Sequence, residues 1–326
     1  KRSHLDLLGN SLDVRSGQWR NPSAGIGAGI DSFYEYSLKS YLVFGRPELY
    51  QIWNASYTAA LKHLRVGPWY HEANMHSGGG IGLTFDALQA FWPALQVLAG
   101  DVDAAASTQE AFHSLWQRFR VLPERYDVHR KVVHSSMSYY PLRPELAEST
   151  YALYRATADP KYLAMGMEMV SNLNTLTRVP FGFAGIKSVQ SMEKEDHTPS
   201  FFLAETLKYL FLLFDEDNFL NLHSSEYIFT TEGHLIPLSN KFTFAVPTFG
   251  QLDGYSVARL QDLISAAGMG HADCIEKSEL KERARIAADV LRESFGSSRS
   301  GSVEPHPEKL VCHQSETARA HQERGG

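Results

Sequence analysis

The sequence predicts an all-α fold of stacked helical hairpins, and three observations carry that prediction. From residue 31 the apolar pattern is helical and repetitive, broken by Pro, Gly and Asp. Three segments open alike, with a carboxylate leading an apolar, aromatic helix: Glu35-YSLKSYLVF, Glu148-STYALYRAT and Glu205-TLKYLFLLF. Asp86-ALQAFWPALQVLAG has the same opening, and the intervals 35 to 86, 86 to 148 and 148 to 205 are each about one hairpin long. Such periodicity means either an open solenoid or a closed α/α toroid.

In order, DSFYEYSLKSYLVFG predicts a first helix and RPELYQIWNASYTAALKHLRV a second, opened by Pro47. WYHEANMHSGGGIG reads as a loop. TFDALQAFWPALQVLAG follows as a helix that Pro93 would kink, then DAAASTQEAFHSLWQRFRVL. RPELAESTYALYRATADPKYLAMGMEMVSNLNTL is a helical pair split at Asp159-Pro160, and VPFGFAGIKSV is an irregular or short-strand link. In the next helix Thr198 is the expected cap and Pro199 the first turn, and Phe201 to Phe214 is apolar nearly all round, as in a buried helix. Its polar residues Glu205, Thr206 and Lys208 share one stripe, either a solvent-facing Glu205–Lys208 pair or the lining of a cavity. An acidic turn and the β-like run YIFTT complete this region.

Composition bounds the function. The chain has 326 residues, 43% of them hydrophobic and 12% aromatic, enough for a large core in one or two domains. A net charge of -6 argues against a nucleic-acid binder that works by charge and suits a neutral ligand such as a sugar or peptide. Cys274 and Cys312 lie far C-terminal, so no disulfide framework holds the main body. The first residues contain no signal-like apolar run and no initiating Met. Of the aromatic residues only Phe295 lies beyond residue 270, which marks a change of composition. The expected organisation is a main domain over 1–250, two amphipathic helices over 251–295 with Ser278 as the second cap, and a disordered tail over 296–326.

Several motifs fail on spacing. In HEANMH the histidines at 71 and 76 are five apart, so they cannot share a helix face as zinc ligands. DEDNFLNLHSSE has Leu220 where a calcium loop demands Gly. No nucleophile elbow, P-loop or dinucleotide fingerprint occurs. Asn54-Ala-Ser56 is a glycosylation sequon inside a predicted helix.

What remains is a set of carboxylates on repeated helices: Glu35, Asp86, Glu145, Glu148, Glu205 and Glu232. Acidic residues near helix N-termini need no function, since the helix dipole favours them by roughly 0.3–1 kcal/mol. Paired carboxylates are also the equipment of glycoside hydrolysis, one protonating the leaving oxygen while the other activates water or attacks.

GIDSFYEYSLKSY, FDALQAFWPALQVLAGD, LRPELAESTYALYRATADPKYL, SFFLAETLKYLFLLF and YIFTTEGH, in that order, resemble glycoside hydrolase family 47, the class I α-1,2-mannosidases. DALQAFWP, RPELAEST and FTTEGHL are more similar to its ER degradation-enhancing α-mannosidase-like branch than to the processing mannosidases. The resemblance implies a partial (α/α)7 barrel missing its N-terminal hairpins, followed by a small helical C-terminal extension. It also implies calcium and inverting hydrolysis of high-mannose N-glycans on misfolded glycoproteins in the ER lumen, with an ER oxidoreductase or chaperone as a candidate partner. By position, Asp86 and Glu145 match catalytic carboxylates, with Glu145 the better candidate for the base. Glu35, Arg143, Glu148, Phe201, Glu205 and Glu232 match residues lining the sugar and calcium pocket, and Thr231 matches the calcium-binding threonine.

The chain departs from the family in three ways. The family's general acid belongs upstream of GIGAGIDSFYEY, so the chain alone is expected to hydrolyse negligibly. Several N-terminal hairpins belong there too. His197-Thr198-Pro199 stands where the family has Met-Glu. The turn DCIEKSEL is weakly similar to small SAP-like modules, too short a match for nucleic-acid binding. Two rival readings follow, a non-catalytic, mannose-binding lectin-like protein and a calcium-independent helical scaffold.

Overall fold

The computed structural model describes residues 1–238, 249–267, 269–272, 274 and 276–297. The first of these ranges belongs to one compact unit, and the ranges from 249 to 297 belong to a second. Most of the expected tail (298–326) lies outside the described residues.

The first unit is mostly α-helical. Helices α1 (Asp31–Phe44) and α2 (Pro47–His63) form one hairpin, α3 (Trp92–Leu98) and α4 (Val102–Phe119) a second, and α5 (Glu145–Thr157) and α6 (Pro160–Asn172) a third. Helix α7 (Leu207–Phe214) follows, then the single turn α8 (Phe219–Leu222). α3, α5 and α7 pack side by side, and α1 touches the 3-10 turn Ala87–Phe91 that leads into α3. α2, α4 and α6 pack against this row, giving the expected stack of hairpins.

Boundaries follow the local chemistry. Gly45 ends α1 with a left-handed φ of 65°, and Pro47 opens α2. Asp159 caps α6 by accepting from the Lys161 N–H. The aromatic residues of the first hairpin make its core: Trp53 stacks on Tyr57 at 4.9 Å, Tyr57 on Trp92 at 5.5 Å, and Tyr34 meets Trp92 edge-on at 5.2 Å. Phe85, Phe112, Trp116, Phe202 and Tyr209 anchor a second apolar cluster around α5.

Several local expectations need correction. The Gly- and His-rich loop contains strands: Glu72–Asn74 pairs with Ser23–Ala24 on one side and Gly80–Gly82 on the other. Pro93 does not kink a long helix but sits in the first turn of a short one, where its missing N–H costs nothing. Asp86 therefore ends a strand, Thr84–Asp86, rather than opening an α-helix. The link after α6 bears out its short-strand reading, forming two small hairpins, Arg178–Val179 with Gly182–Phe183 and Gly185–Ser188 with Glu193–Glu195. The Thr198 hydroxyl donates to the Phe183 carbonyl instead of capping the following helix. That helix begins with a π-helical turn, Phe202–Thr206, and is not buried all round: Leu203 is 69% and Phe211 58% exposed.

The second unit consists of α9 (Phe249–Leu252), α10 (Val257–Ala266) and α11 (Lys277–Ser297), around Leu260, Leu263, Ile264, Leu280 and Ala284. Ser256 caps α10 by accepting from the Arg259 N–H. Ser278 lies inside α11 and is not its cap; the Glu279 carboxylate accepts from the Glu276 N–H there. No helix among the described residues is long and apolar enough to cross a membrane.

Candidate active site

Glu145 is the first residue of α5, and the backbone before it is unusual. Leu142, fully buried, has a left-handed φ of 64°, which for a non-glycine residue costs of order 1–3 kcal/mol. The turn sends Arg143 one way and α5 another. The Arg143 guanidinium meets the Glu124 carboxylate in a two-point contact, Nε to Oε2 at 2.9 Å and Nη2 to Oε1 at 2.6 Å. It also lies 5.6 Å from the centre of the Phe201 ring and 3.9 Å from Glu145. Glu145 Oε2 is buried without a hydrogen-bond partner.

Asp86 reaches the same region from its strand, where it pairs in register with Arg125. Its carboxylate lies so close to Gly27 that a methyl group there would be 2.3 Å from Oδ2, and Oδ1 is buried without a partner. The Ala87 N–H donates to the Glu124 carbonyl at 2.9 Å, so Glu124 is joined by its backbone to the Asp86 segment and by its side chain to Arg143.

Glu35 and Lys39, one turn apart on α1, form a buried ion pair. Both line a pocket with Glu148 of α5 and Tyr209 of α7. Glu205 comes from the π-helical turn, a distortion frequent at functional sites because it re-aims side chains within a helix. Its stripe does not face solvent. Glu205 and Thr206 are buried, Thr206 donates to the Leu142 carbonyl at 2.7 Å, and Lys208 donates to the Gly233 carbonyl at 2.7 Å. The strands Tyr227–Phe229 and Leu235–Pro237 form a hairpin whose tip carries Thr231 and Glu232. The tip is tied to α1 through the Tyr36 hydroxyl, which accepts from the Thr231 N–H at 3.2 Å. At Gly233 the chain passes so close to Glu205 that an added methyl would sit 3.1 Å from its Cγ.

These contacts bring all nine sequence-derived candidates together. Burial is the first cause of every shift among their carboxylates. It pushes Asp86 up to about 6, against Arg125 and the Ala28 N–H. It pushes Glu145 up to about 8, with Arg143 opposing and Glu205 and Glu124 adding to it. Glu205 rises to about 7, helped by Glu232 and Glu35. Glu148 rises well above the usual range, with Glu35 adding and Lys39 opposing. Burial likewise raises Asp31. The charge is unbalanced: Asp31, Asp86, Glu35, Glu124, Glu145, Glu148, Glu205 and Glu232 face Arg125, Arg143, Lys39 and Lys208. Such a site repels anions and offers acceptors to a ligand rich in hydroxyl groups.

The donors around the hairpin tip are oxygen only, which suits a hard cation. The partnerless Glu145 Oε2 and the mutual repulsion of the carboxylates fit a positive charge nearby. Among the described residues no group of three or more His, Cys, Asp or Glu is arranged to grip a metal. Thr231, at the hairpin tip, is the residue that would hold a calcium ion.

The sequence reasoning missed Glu124, Lys39 and Asp31. Lys39 had a signal, its i+4 spacing from Glu35 on one helix face. Glu124 had none, since it lies in an irregular segment and its partner is 19 residues away.

The sequence matches glycosyl hydrolase family 47 over residues 1–238. It is 53% identical over 246 residues to alpha-mannosidase I MNS5 of Arabidopsis thaliana, covering 76% of this chain and 42% of that protein. It is 42% identical over 234 residues to ER degradation-enhancing alpha-mannosidase-like protein 3 of Homo sapiens, covering 72% of this chain and 25% of that one. The chain thus spans less than half the length of these relatives. Its fold is similar to that of an alpha-1,2-mannosidase from Trichoderma reesei, with a TM-score of 0.63, 22% sequence identity, and coverage of 72% of this chain and 56% of that one. The chain belongs to glycosyl hydrolase family 47, in its ER degradation-enhancing α-mannosidase-like branch.

Proposed function

We propose that this chain carries the pocket of an α-1,2-mannosidase-like protein that acts on high-mannose N-glycans of misfolded glycoproteins in the ER lumen. The observation that carries this reading is the meeting of Glu35 of α1, Glu145 and Glu148 of α5 and Glu205 beside Glu232 of the 227–237 hairpin tip, with Asp86 joined to them through Glu124 and Asp31. The sugar's hydroxyls donate to these carboxylates. Arg143 and Phe201 wall one side, and Asp31, Glu124 and Glu232 complete an acidic surround that repels anionic competitors.

The reaction is inverting hydrolysis, in which one carboxylate takes a proton from water as another protonates the leaving oxygen. Glu145 takes the water's proton, and Arg143 steers it. With the protein's own charges alone, Glu145 holds its proton up to about pH 8, whereas Asp86 releases its proton near pH 6. Thr231 would hold a calcium ion, whose positive charge would favour the ionised form of neighbouring carboxylates.

Calorimetric titration with α-1,2-mannobiose, in calcium and again in chelator, tests this reading. Binding that needs calcium and is lost in Glu145→Gln and Thr231→Val supports it. Absence of any heat sinks it in favour of a helical scaffold, and heat unchanged by calcium sinks its calcium dependence. Release of free mannose by this chain would show that it holds its own proton donor.

A further inference from the structure

We propose that Thr206 is a positioning residue for the proposed sugar site, holding Arg143 and Glu145 in place through the carbonyl of Leu142. Three independent features converge on that carbonyl. Leu142 is buried and left-handed, a conformation its side chain disfavours, so something outside the residue must hold it. The Thr206 hydroxyl is buried and donates to the Leu142 oxygen at 2.7 Å, from a residue 64 positions away. The π-helical turn ending at Thr206 presents Glu205 to the pocket in the same stroke. One segment therefore carries a pocket carboxylate and the hydroxyl that pins the base-bearing loop.

The two residues after Leu142 explain what the pin protects. Arg143 must keep its two-point contact with Glu124 while staying over Phe201, and Pro144 starts α5 at Glu145. If Leu142 relaxes toward an ordinary φ, the direction of Arg143 and the first turn of α5 turn with it. Without the Thr206 hydroxyl the buried Leu142 carbonyl loses its hydrogen bond, which favours that relaxation.

The structure provides a matched control. Thr177 ends the other π-helical turn, Leu173–Thr177, is fully buried, and donates to the Leu173 carbonyl at 2.7 Å. Its replacement removes the same kind of bond outside the pocket.

The test compares Thr206→Val, Thr206→Ser and Thr177→Val in the full chain. The first readout is hydrogen exchange at the Arg143 Nε–H, identified by its disappearance in Arg143→Lys. Exchange is expected to accelerate about tenfold or more in Thr206→Val, the scale of one buried hydrogen bond, and to stay near wild type in Thr206→Ser and Thr177→Val. The second readout is affinity for α-1,2-mannobiose, and this arm rests on the sugar-site reading. If the wild-type chain binds no mannobiose, that reading fails while the exchange rates still decide the role of Thr206. Equal exchange in Thr206→Val and Thr177→Val overturns the proposal. Should Thr206→Val fail to fold, Thr206→Cys keeps the volume with a weaker donor. It is expected to exchange faster than Thr206→Ser, and an equal rate overturns the proposal as well.

Discussion

Arg143 and Glu124 face each other through two hydrogen bonds of 2.9 and 2.6 Å, with the Glu124 side chain only 7% and Arg143 only 20% exposed. This pair joins the strand bearing Asp86 to the helix bearing Glu145. Removing one member of such a pair leaves an uncompensated charge in a poorly solvated place. Glu124→Ala is expected to lower unfolding stability by about 3–5 kcal/mol, measured by urea denaturation. Arg143→Lys keeps the charge but loses the planar fork, so it is expected to cost less stability while weakening mannobiose binding. A Glu124→Ala chain as stable as wild type would show that the pair is dispensable.

Stability should fall as pH rises. Asp86, Glu205 and Glu145 hold protons more tightly in the folded chain than free carboxyls do, titrating near 6, 7 and 8. Between the ordinary carboxyl range and about pH 8 the unfolded chain has given up these protons and the folded chain has not. The folded state therefore binds more protons, and stability is fully present below the unfolded values and lost as pH passes 6, then 7, then 8. Melting temperature in chelator is expected to drop from pH 5 to pH 8. Glu145→Gln should flatten the upper part of that curve, and a rising curve would contradict the shifts.

Calcium should counter this loss if the hairpin tip holds it. At a concentration about 100 times its dissociation constant, a ligand of the folded state adds about 2.7 kcal/mol. The gain is expected to be largest above pH 7, where the carboxylates carry most charge, and to vanish in Thr231→Val. Thermal shifts with calcium and with chelator measure it.

Gly27 has a steric role toward Asp86. A methyl there would sit 2.3 Å from Oδ2 and 2.6 Å from Oδ1, closer than non-bonded atoms approach. Gly27→Ala is expected to displace the carboxylate and weaken sugar binding about tenfold or more. Wild-type affinity in that variant would show that the Asp86 position does not matter for binding.

The hairpins were legible because α1, α2, α4, α5 and α6 each carry a sustained apolar face bounded by Pro, Gly or Asp. Asp86 misled because TFDALQAFWPALQVL is apolar enough for one continuous helix. In the structure, pairing of Phe85 with Tyr126 makes its first residues a strand. The nearly all-apolar stretch at 201–214 reads as buried, yet Phe211 and Leu203 are exposed, since periodicity cannot tell which face finds a neighbour. The pocket carboxylates stood out by repetition. Glu124 did not, because its importance comes from a partner that only the folded chain brings near. Leu142 was invisible for a related reason, as nothing in its identity announces a left-handed backbone.

The π-helical turn at Phe202–Thr206 has an evolutionary consequence. Such a turn is an α-helix with one residue too many, so losing one residue would restore a regular helix that still packs. The flanking segments would keep their register, and the side chains inside the turn would be re-aimed. Glu205, which belongs to the pocket, and Thr206, which holds Leu142, then could not both keep their places. A relative shortened by one residue here would keep its fold and lose its grip on sugar, so gene length at this turn would separate working members of the family from folded remnants.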